Sequence, residues 1–337
     1  MFFNIKNLTP RLKTIIKRSV VSLGLRLFEP TALLWAPVLK ISARTGLGTN
    51  QCLKNGFLPM RVHFYSPVPD IKDLDRRQIW NNKSEMVGID FCATEQVRFL
   101  QELGKKYGDE CNWPSQPNSN PDDFYTENNS FSFGCAAALH AMIRYYQPGK
   151  ILEIGSGNSS KVISAAVKLN QAEGKSGEYV LIDPYPAVNI KKHLPGLTEV
   201  IKERVELTDI NRFKDLRSND ILFVDSGHTV RTGGDVNFLF LEVLPRLAPG
   251  VVVHFHDINL PDEYPQIYFT NPRFRMFWTE AYLLQSFLCF NKEFQILLAM
   301  HYLMTDKKDE FCKAFTHYDP SQHKLTSGSF WIQRKPA

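Results

Sequence analysis

The segment "VVVHFHDI", residues 251–258, opens like a dry strand and closes on titratable groups, His254, His256 and Asp257. About thirty residues earlier "DILFVDSGH" follows the same plan and delivers Asp225 and His228. Histidine titrates close to working pH, so an imidazole oriented by a carboxylate is a natural general base. Either His256 or His228 could take a proton from a hydroxyl, with Asp225 or Asp257 orienting the ring. Strand alternation sets His254 on the same face as His256 but deeper in the sheet, where it is expected to be a hydrogen-bonded core residue.

A second group of residues reads as a ligand cradle. In "ILEIGSGNSSKV", Gly155 and Gly157 follow a strand and precede a helix. Such glycines let the backbone turn tightly and approach a ligand, and the helix start offers free N–H groups to an anion. Ser160 stands where a dinucleotide fingerprint would place a third glycine, which argues against NAD. Glu153 lies near the tip of the same strand, where it could compensate an ammonium or other positive group. Asp183, at the end of "YVLID", could accept both hydroxyls of a ribose. Thr208 and Asp209 follow a weak strand, "RVEL", in a region that could reach an adenine.

The elements that must hold these groups alternate. From Ser130 onward a helix, "FGCAAALHAMIRYY", gives way to the strand "KILEIG", the helix "SSKVISAAVKLNQ" and the strand "GEYVLID". The order continues through "RVEL", "DILFVD", a helix in "GGDVNFLFLEVLPRL", and "VVVHFHDI". A helix, "FWTEAYLLQSFLCF", a strand, "FQILLAMHYL", and "GSFWIQRK" close the chain. Alternation of this kind predicts a parallel sheet covered by helices on both faces, with ligands at the carboxyl ends of the strands. Upstream, the pattern predicts a helix over residues 90–107, an irregular wrap over 50–90, and a polar lid or linker over 108–129. The cluster from Tyr264 to Tyr282, with Trp278 and Glu280, could wall a pocket or simply pack a helix onto the sheet.

The ordered motifs resemble the class I S-adenosylmethionine-dependent methyltransferases over roughly residues 130–335. More narrowly, "NNSFSFG", "LEIGSGNSS", "DILFVDSGH", "LPRLAPGVVVHFHDI" and "WTEAYLL" are similar to a large bacterial branch of that family. More distantly they are similar to macrocin O-methyltransferase-like and cephalosporin hydroxylase-like proteins. The resemblance implies a doubly wound, mostly parallel seven-stranded α/β sheet ending in an antiparallel hairpin, behind an N-terminal helical and irregular extension. It implies S-adenosylmethionine as cofactor, held by Glu153, Gly155, Gly157, Asp183 and Asp209. In the metal-assisted O-methyltransferases of this fold an acid closes the fourth strand and two metal-binding residues close the fifth; the matching positions are Asp225, His256 and Asp257. Imidazole suits zinc, iron or nickel better than the oxygen-seeking magnesium.

These readings give a 337-residue chain in three parts: a basic arm (1–45), an extension with a lid-like loop (46–129) and a methyltransferase domain (130–337). The arm holds eight basic groups and one acid, +7, leaving the rest of the chain near neutral at −2. A nearly neutral body argues against nucleic acid as a partner. Leu12, Ile15, Ile16, Val20, Leu23 and Leu27 form one helical stripe, so residues 11–27 are expected to pack on the domain or a twin subunit, or to touch a membrane peripherally. The apolar run at Thr31–Leu39 is interrupted by proline and far short of the ~20 residues of a membrane span. Six scattered cysteines without a C-x-x-C pair suggest neither a zinc knuckle nor a disulfide framework, which fits a cytoplasmic protein. The expected activity is methylation of a hydroxyl on a small metabolite or sugar-like acceptor. The alternatives are a metal-dependent hydroxylase-like enzyme on the same fold and a non-catalytic cofactor-binding subunit.

Overall fold

The computed structural model describes residues 29–186, 194–271, 275–323 and 327–336. The amphipathic stripe at 12–27 lies outside the described residues. The chain divides between Arg76 and Arg77 into two compact units. Residues 77–129, read from sequence as extension and lid, therefore fold within the same unit as the domain that begins at 130.

The first unit contains helices α1 (Ala32–Thr45), α2 (Thr49–Lys54) and α3 (Ile71–Arg76). Helix α1 runs through Pro37; so near the amino end the ring forgoes a single backbone bond. It stops at Gly46, which takes a left-handed conformation and returns its N–H to the Ser42 carbonyl at 2.8 Å. Among the described residues no helix is long and apolar enough to cross a membrane.

The second unit is built on seven strands: β1 (Lys150–Ile154), β2 (Glu178–Ile182), β3 (Leu197–Ile201), β4 (Ile221–Val224), β5 (Val252–Phe255), β6 (Phe294–Ala299) and β7 (Phe330–Arg334). Their order is β3-β2-β1-β4-β5-β7-β6. The first five run parallel, and β7 is antiparallel to both β5 and β6, so the sheet is mixed. Strand order reverses between β1 and β4, which opens a crevice at their carboxyl ends.

Alternation sorts the strand side chains into two cores. Ile151, Tyr179, Phe223, Val252 and Trp331 join α4 (Ala93–Tyr107), α5 (Phe133–Tyr146) and α6 (Asn158–Ala172) on one face. Leu152, Val180, Val224, Phe255 and Ile332 pack on the other against the segment 236–247 and α7 (Glu280–Leu288). Each fully buried apolar side chain contributes about 1.5–3 kcal/mol. Helix α5 is buried along nearly its whole length, and its run of alanines lets α6 pack closely against it. Its first turn is fixed by Ser132, whose hydroxyl accepts the Cys135 N–H at 3.3 Å.

Three sequence expectations change. "RVEL" is not a strand: Val205–Leu207 form a 3₁₀ turn, and the third strand lies earlier, at Leu197–Ile201. As an edge strand with exposed Thr198 and Glu199, it lacks the apolar run that marks its inner neighbours. "FQILLAMHYL" leaves the sheet at Ala299 and becomes a helix over Met300–Thr305, because Phe330, the partner of Ala299, is the first residue of β7. The 50–90 segment is not wholly irregular, since α2 and α3 interrupt it.

Candidate functional site

The crevice is set by Gly155. Its φ of +82° suits glycine, and a Cβ there would stand 1.9 Å from the Asp225 carbonyl oxygen across the β1–β4 divide. Gly157 differs: a Cβ would meet nothing within 4 Å, so the space above the α6 N-terminus is open to a ligand. The loop rims a groove of about 810 Å³ that also takes in Ser156, Asp183, Tyr185, Glu206 and Asp235. The Asp183 carboxylate accepts the Ser156 hydroxyl and, at 2.7 Å, the Tyr185 N–H.

Two residues expected in this groove are elsewhere. Glu153 belongs to the α6 face of the sheet and is wholly buried. Its oxygens accept the hydroxyls of Ser159 at 2.6 Å, Ser160 at 2.9 and 3.0 Å, and Tyr179. Burial raises its pKa to about 7 against the pull of those hydroxyls. It anchors the start of α6 from beneath and does not face the groove. Asp209 is exposed and caps the Asn211 N–H at 3.0 Å. Because β3 ends at Ile201, the chain leaving its carboxyl end enters the groove at Arg204, Val205 and Glu206 instead.

Across Asp225 lies a second pocket of about 780 Å³. His256 and Asp257 form part of its wall, with Phe131 stacked on the His256 ring at 5.0 Å. Asn129, Ser130, Asn259, Tyr268, His301 and Gln322 supply polar and aromatic lining. The preceding loop is tied down rather than loose: Phe124 and Phe131 are buried, and Thr126 and Glu127 donate their N–H groups to Pro114 and Ser115.

Between the cavities four titratable groups meet. His228 Nε2 is 3.2 Å from Asp225 Oδ1 and 3.7 Å from Asp257 Oδ2. His256 Nδ1 is 3.6 and 3.4 Å from the same two oxygens, outside hydrogen-bond geometry, and among the described residues neither ring nitrogen has a hydrogen-bond partner. The other nitrogen of His228 lies 2.8 Å from the fully buried Glu280. Burial pulls His228 down, but Asp225 and Glu280 outweigh it and hold its pKa up to about 10. Burial pushes Asp225 up, and the two histidines outweigh it, holding the carboxyl well below its ordinary range. Against the same opposition from burial, Asp225, Asp257 and Cys135 raise His256 well above the ordinary imidazole value. Both His228 (φ +54°) and Asp257 (φ +57°) are held in the left-handed region, a strain of order 1–3 kcal/mol each that collects at functional sites.

Among the described residues, Asp225, His228 and Asp257 could hold a metal ion, since their donor atoms lie within 4.8 Å of one another. The sequence reading had His256 in place of His228. Parity along β5 identified His256, whereas the turn that brings His228 back over the strand ends is a tertiary feature. His254 is a core residue, stacked on Phe223 at 4.1 Å with Nε2 3.0 Å from Ser329 Oγ.

Sequence reasoning also missed Asp235 and Cys135. Glu280, read from sequence as a possible pocket wall, is bonded to a site histidine instead. Asp235 accepts the Gly227 N–H at 2.5 Å and fixes the loop after β4. Cys135 lies in the second pocket, 3.2 Å from Ser327 Oγ; burial raises the thiol, and His256 with the Ser132 and Ser327 hydroxyls outweighs it, bringing the pKa to about 7. In the aromatic cluster Trp278 packs on the His228 ring at 4.5 Å, and Tyr268 reaches the pocket.

Comparison with known proteins agrees with this architecture. A family model described as "Methyltransferase domain" matches residues 152–258, from β1 through the end of the site strand. An uncharacterized protein of Archaeoglobus fulgidus is 35% identical over 167 residues, covering 47% of this chain and 74% of that protein. With the strand order, the glycine turn at the reversal point and the matched segment all in register, the chain belongs to the class I S-adenosylmethionine-dependent methyltransferases.

Proposed function

We propose that the protein transfers the methyl group of S-adenosylmethionine to a hydroxyl of a small, polar, sugar-like acceptor. The observation that carries this reading is the approach of two cavities at one cluster: Asp225 lines the glycine-loop groove, His256 and Asp257 line the second pocket, and His256 Nδ1 lies 3.6 Å from Asp225 Oδ1. A cofactor in the first and an acceptor in the second would face each other across these groups. Asp183 would receive the ribose hydroxyls, and Gly157 would leave the space that the cofactor needs. In the second pocket, side-chain amides and hydroxyls interleaved with aromatic rings suit a polyhydroxylated molecule. His256, whose ring nitrogens have no hydrogen-bond partner among the described residues, would take the acceptor proton in its neutral form. The nearby Asp225 and Asp257 carboxylates, which hold its pKa up, would stabilise the imidazolium that results.

Calorimetry with S-adenosylmethionine and its demethylated product tests the cofactor half. Asp183→Ala should weaken binding by roughly 1.5–3 kcal/mol, the scale of hydrogen bonds to a charged group. A methyl-transfer screen against a metabolite extract tests the acceptor half. Binding of NAD in place of S-adenosylmethionine would refute the reading, and cofactor binding without transfer to any fraction would leave a non-catalytic subunit.

A metal-assisted version is favoured by one specific arrangement. Glu280 holds one nitrogen of His228 and aims the other at Asp225 and Asp257, as a carboxylate behind a metal-binding imidazole does. Two acids and one imidazole fit manganese, iron or zinc better than magnesium. Such an ion would acidify the acceptor hydroxyl, and Asp225, His228 and Asp257 would hold it. Loss of turnover with a chelator, restored by one divalent ion, supports this version; indifference to the chelator leaves His256 as a free base.

A further inference from the structure

Exposed apolar side chains are unevenly distributed over this protein. Among the described residues, thirteen of the twenty-two large hydrophobic side chains that face solvent fall between Leu33 and Tyr65, within the first unit. On α1, Leu34, Val38 and Ile41 are spaced i, i+4, i+7 and form one stripe, with Trp35 at its side; their exposures run from 49% to 78%. Further along, Phe64 and Tyr65 are 81% and 85% exposed, with ring centroids 4.1 Å apart. Apolar side chains exposed at this density along one segment point to a contact surface.

Charge identifies what the surface meets. From Pro30 to Pro69 there is no acidic residue, while Lys40, Arg44, Lys54 and Arg61 are basic. Lys40 and Arg44 lie one turn apart along the flank of the α1 stripe, where long basic side chains can reach phosphate while the leucines and tryptophan enter the apolar layer. A second copy of the chain fits poorly, because a two-fold contact would set the same basic groups against each other. A membrane span is excluded for α1 by its 14 residues.

We propose that residues 32–65 form a docking face for an anionic phospholipid surface, with α1 lying in the plane of the headgroups. The contact is distinct from the stripe at residues 11–27, and it places the methyltransferase unit beside a membrane without anchoring it through the bilayer. The test uses the full chain in co-sedimentation with vesicles of phosphatidylglycerol and phosphatidylcholine, and with pure phosphatidylcholine, at low and high salt. The wild type should bind the anionic vesicles and release as salt rises. The triple variant Leu34→Ser, Trp35→Ser, Ile41→Ser should bind roughly tenfold or more weakly with an unchanged melting temperature, because all three side chains are exposed. Lys40→Glu with Arg44→Glu should weaken binding to anionic vesicles roughly tenfold or more, while binding to pure phosphatidylcholine stays unchanged. Wild-type binding retained by both variants would overturn the proposal by locating the contact elsewhere. Absence of vesicle binding by the wild type would also overturn it, and a dimer in sedimentation velocity that the triple variant dissolves would then identify a second copy as the occupant.

Discussion

The buried Glu153 offers a quantitative test of how the glycine loop is held. Its carboxyl is held near pH 7, against an ordinary value of 4.5, because no bulk water reaches it. The unfolded chain ionises this group from about pH 4.5 upward, whereas the folded chain resists until about 7. A raised folded pKa means that the stabilisation is complete below the unfolded pKa and is lost as pH climbs through the folded one. At roughly 1.4 kcal/mol for each unit, the wild type should lose on the order of 3 kcal/mol from this group alone between pH 4.5 and 8. That is a large part of the 5–15 kcal/mol typical of a domain. Glu153→Gln keeps the size and the hydroxyl partners Ser159, Ser160 and Tyr179 but cannot ionise. Urea unfolding of both proteins at pH 5, 6, 7 and 8 isolates the term, since all other titrations are common to the pair. The stability of the variant relative to the wild type should rise with pH by about 2–3 kcal/mol. Parallel curves, or a gap that moves the other way, would show that the hydroxyls stabilise the carboxylate as an anion and that the burial argument fails.

Gly155→Ala should destabilise the fold by more than about 2 kcal/mol in denaturant unfolding, since the new methyl meets the Asp225 carbonyl and φ is positive. Gly157→Ala should keep its melting temperature but bind S-adenosylmethionine about tenfold more weakly, because the methyl enters ligand space and touches nothing in the chain. Glu280→Gln should lower turnover by roughly 10- to 100-fold with cofactor affinity unchanged, as expected for a group that orients a site imidazole; equal turnover would reduce Glu280 to a packing residue. His256→Ala should lower turnover about 10²- to 10⁴-fold, the usual worth of acid–base help, and full activity in the variant would show that His256 does not carry the proton transfer.

Legibility in the sequence followed the range of the interactions. The inner strands announced themselves because a strand buried on both faces must be apolar throughout, as "ILFV" and "VVHF" are. The edge strand β3, half exposed and mixed in composition, gave no such signal, and with it went the position of Asp209. Gly155 was legible as a turn glycine, although the sequence could not say that its missing side chain makes room for Asp225, a residue on another strand.

Composition and order thus determined the alternating α/β class, the crevice at the strand ends, and the presence of Asp225, His228, His256 and Asp257 near it. All of these follow from local periodicity and from the side-chain parity of a strand. Tertiary structure alone decided that both histidines converge on the same two acids, that Glu280 stands behind His228 fifty-two residues away, and that Glu153 is turned from the groove into the core. Those outcomes depend on how loops fold back over the sheet and on which hydroxyls a neighbouring helix and strand bring within reach. Such distances link residues far apart in the chain, and local spacing along a sequence does not encode them.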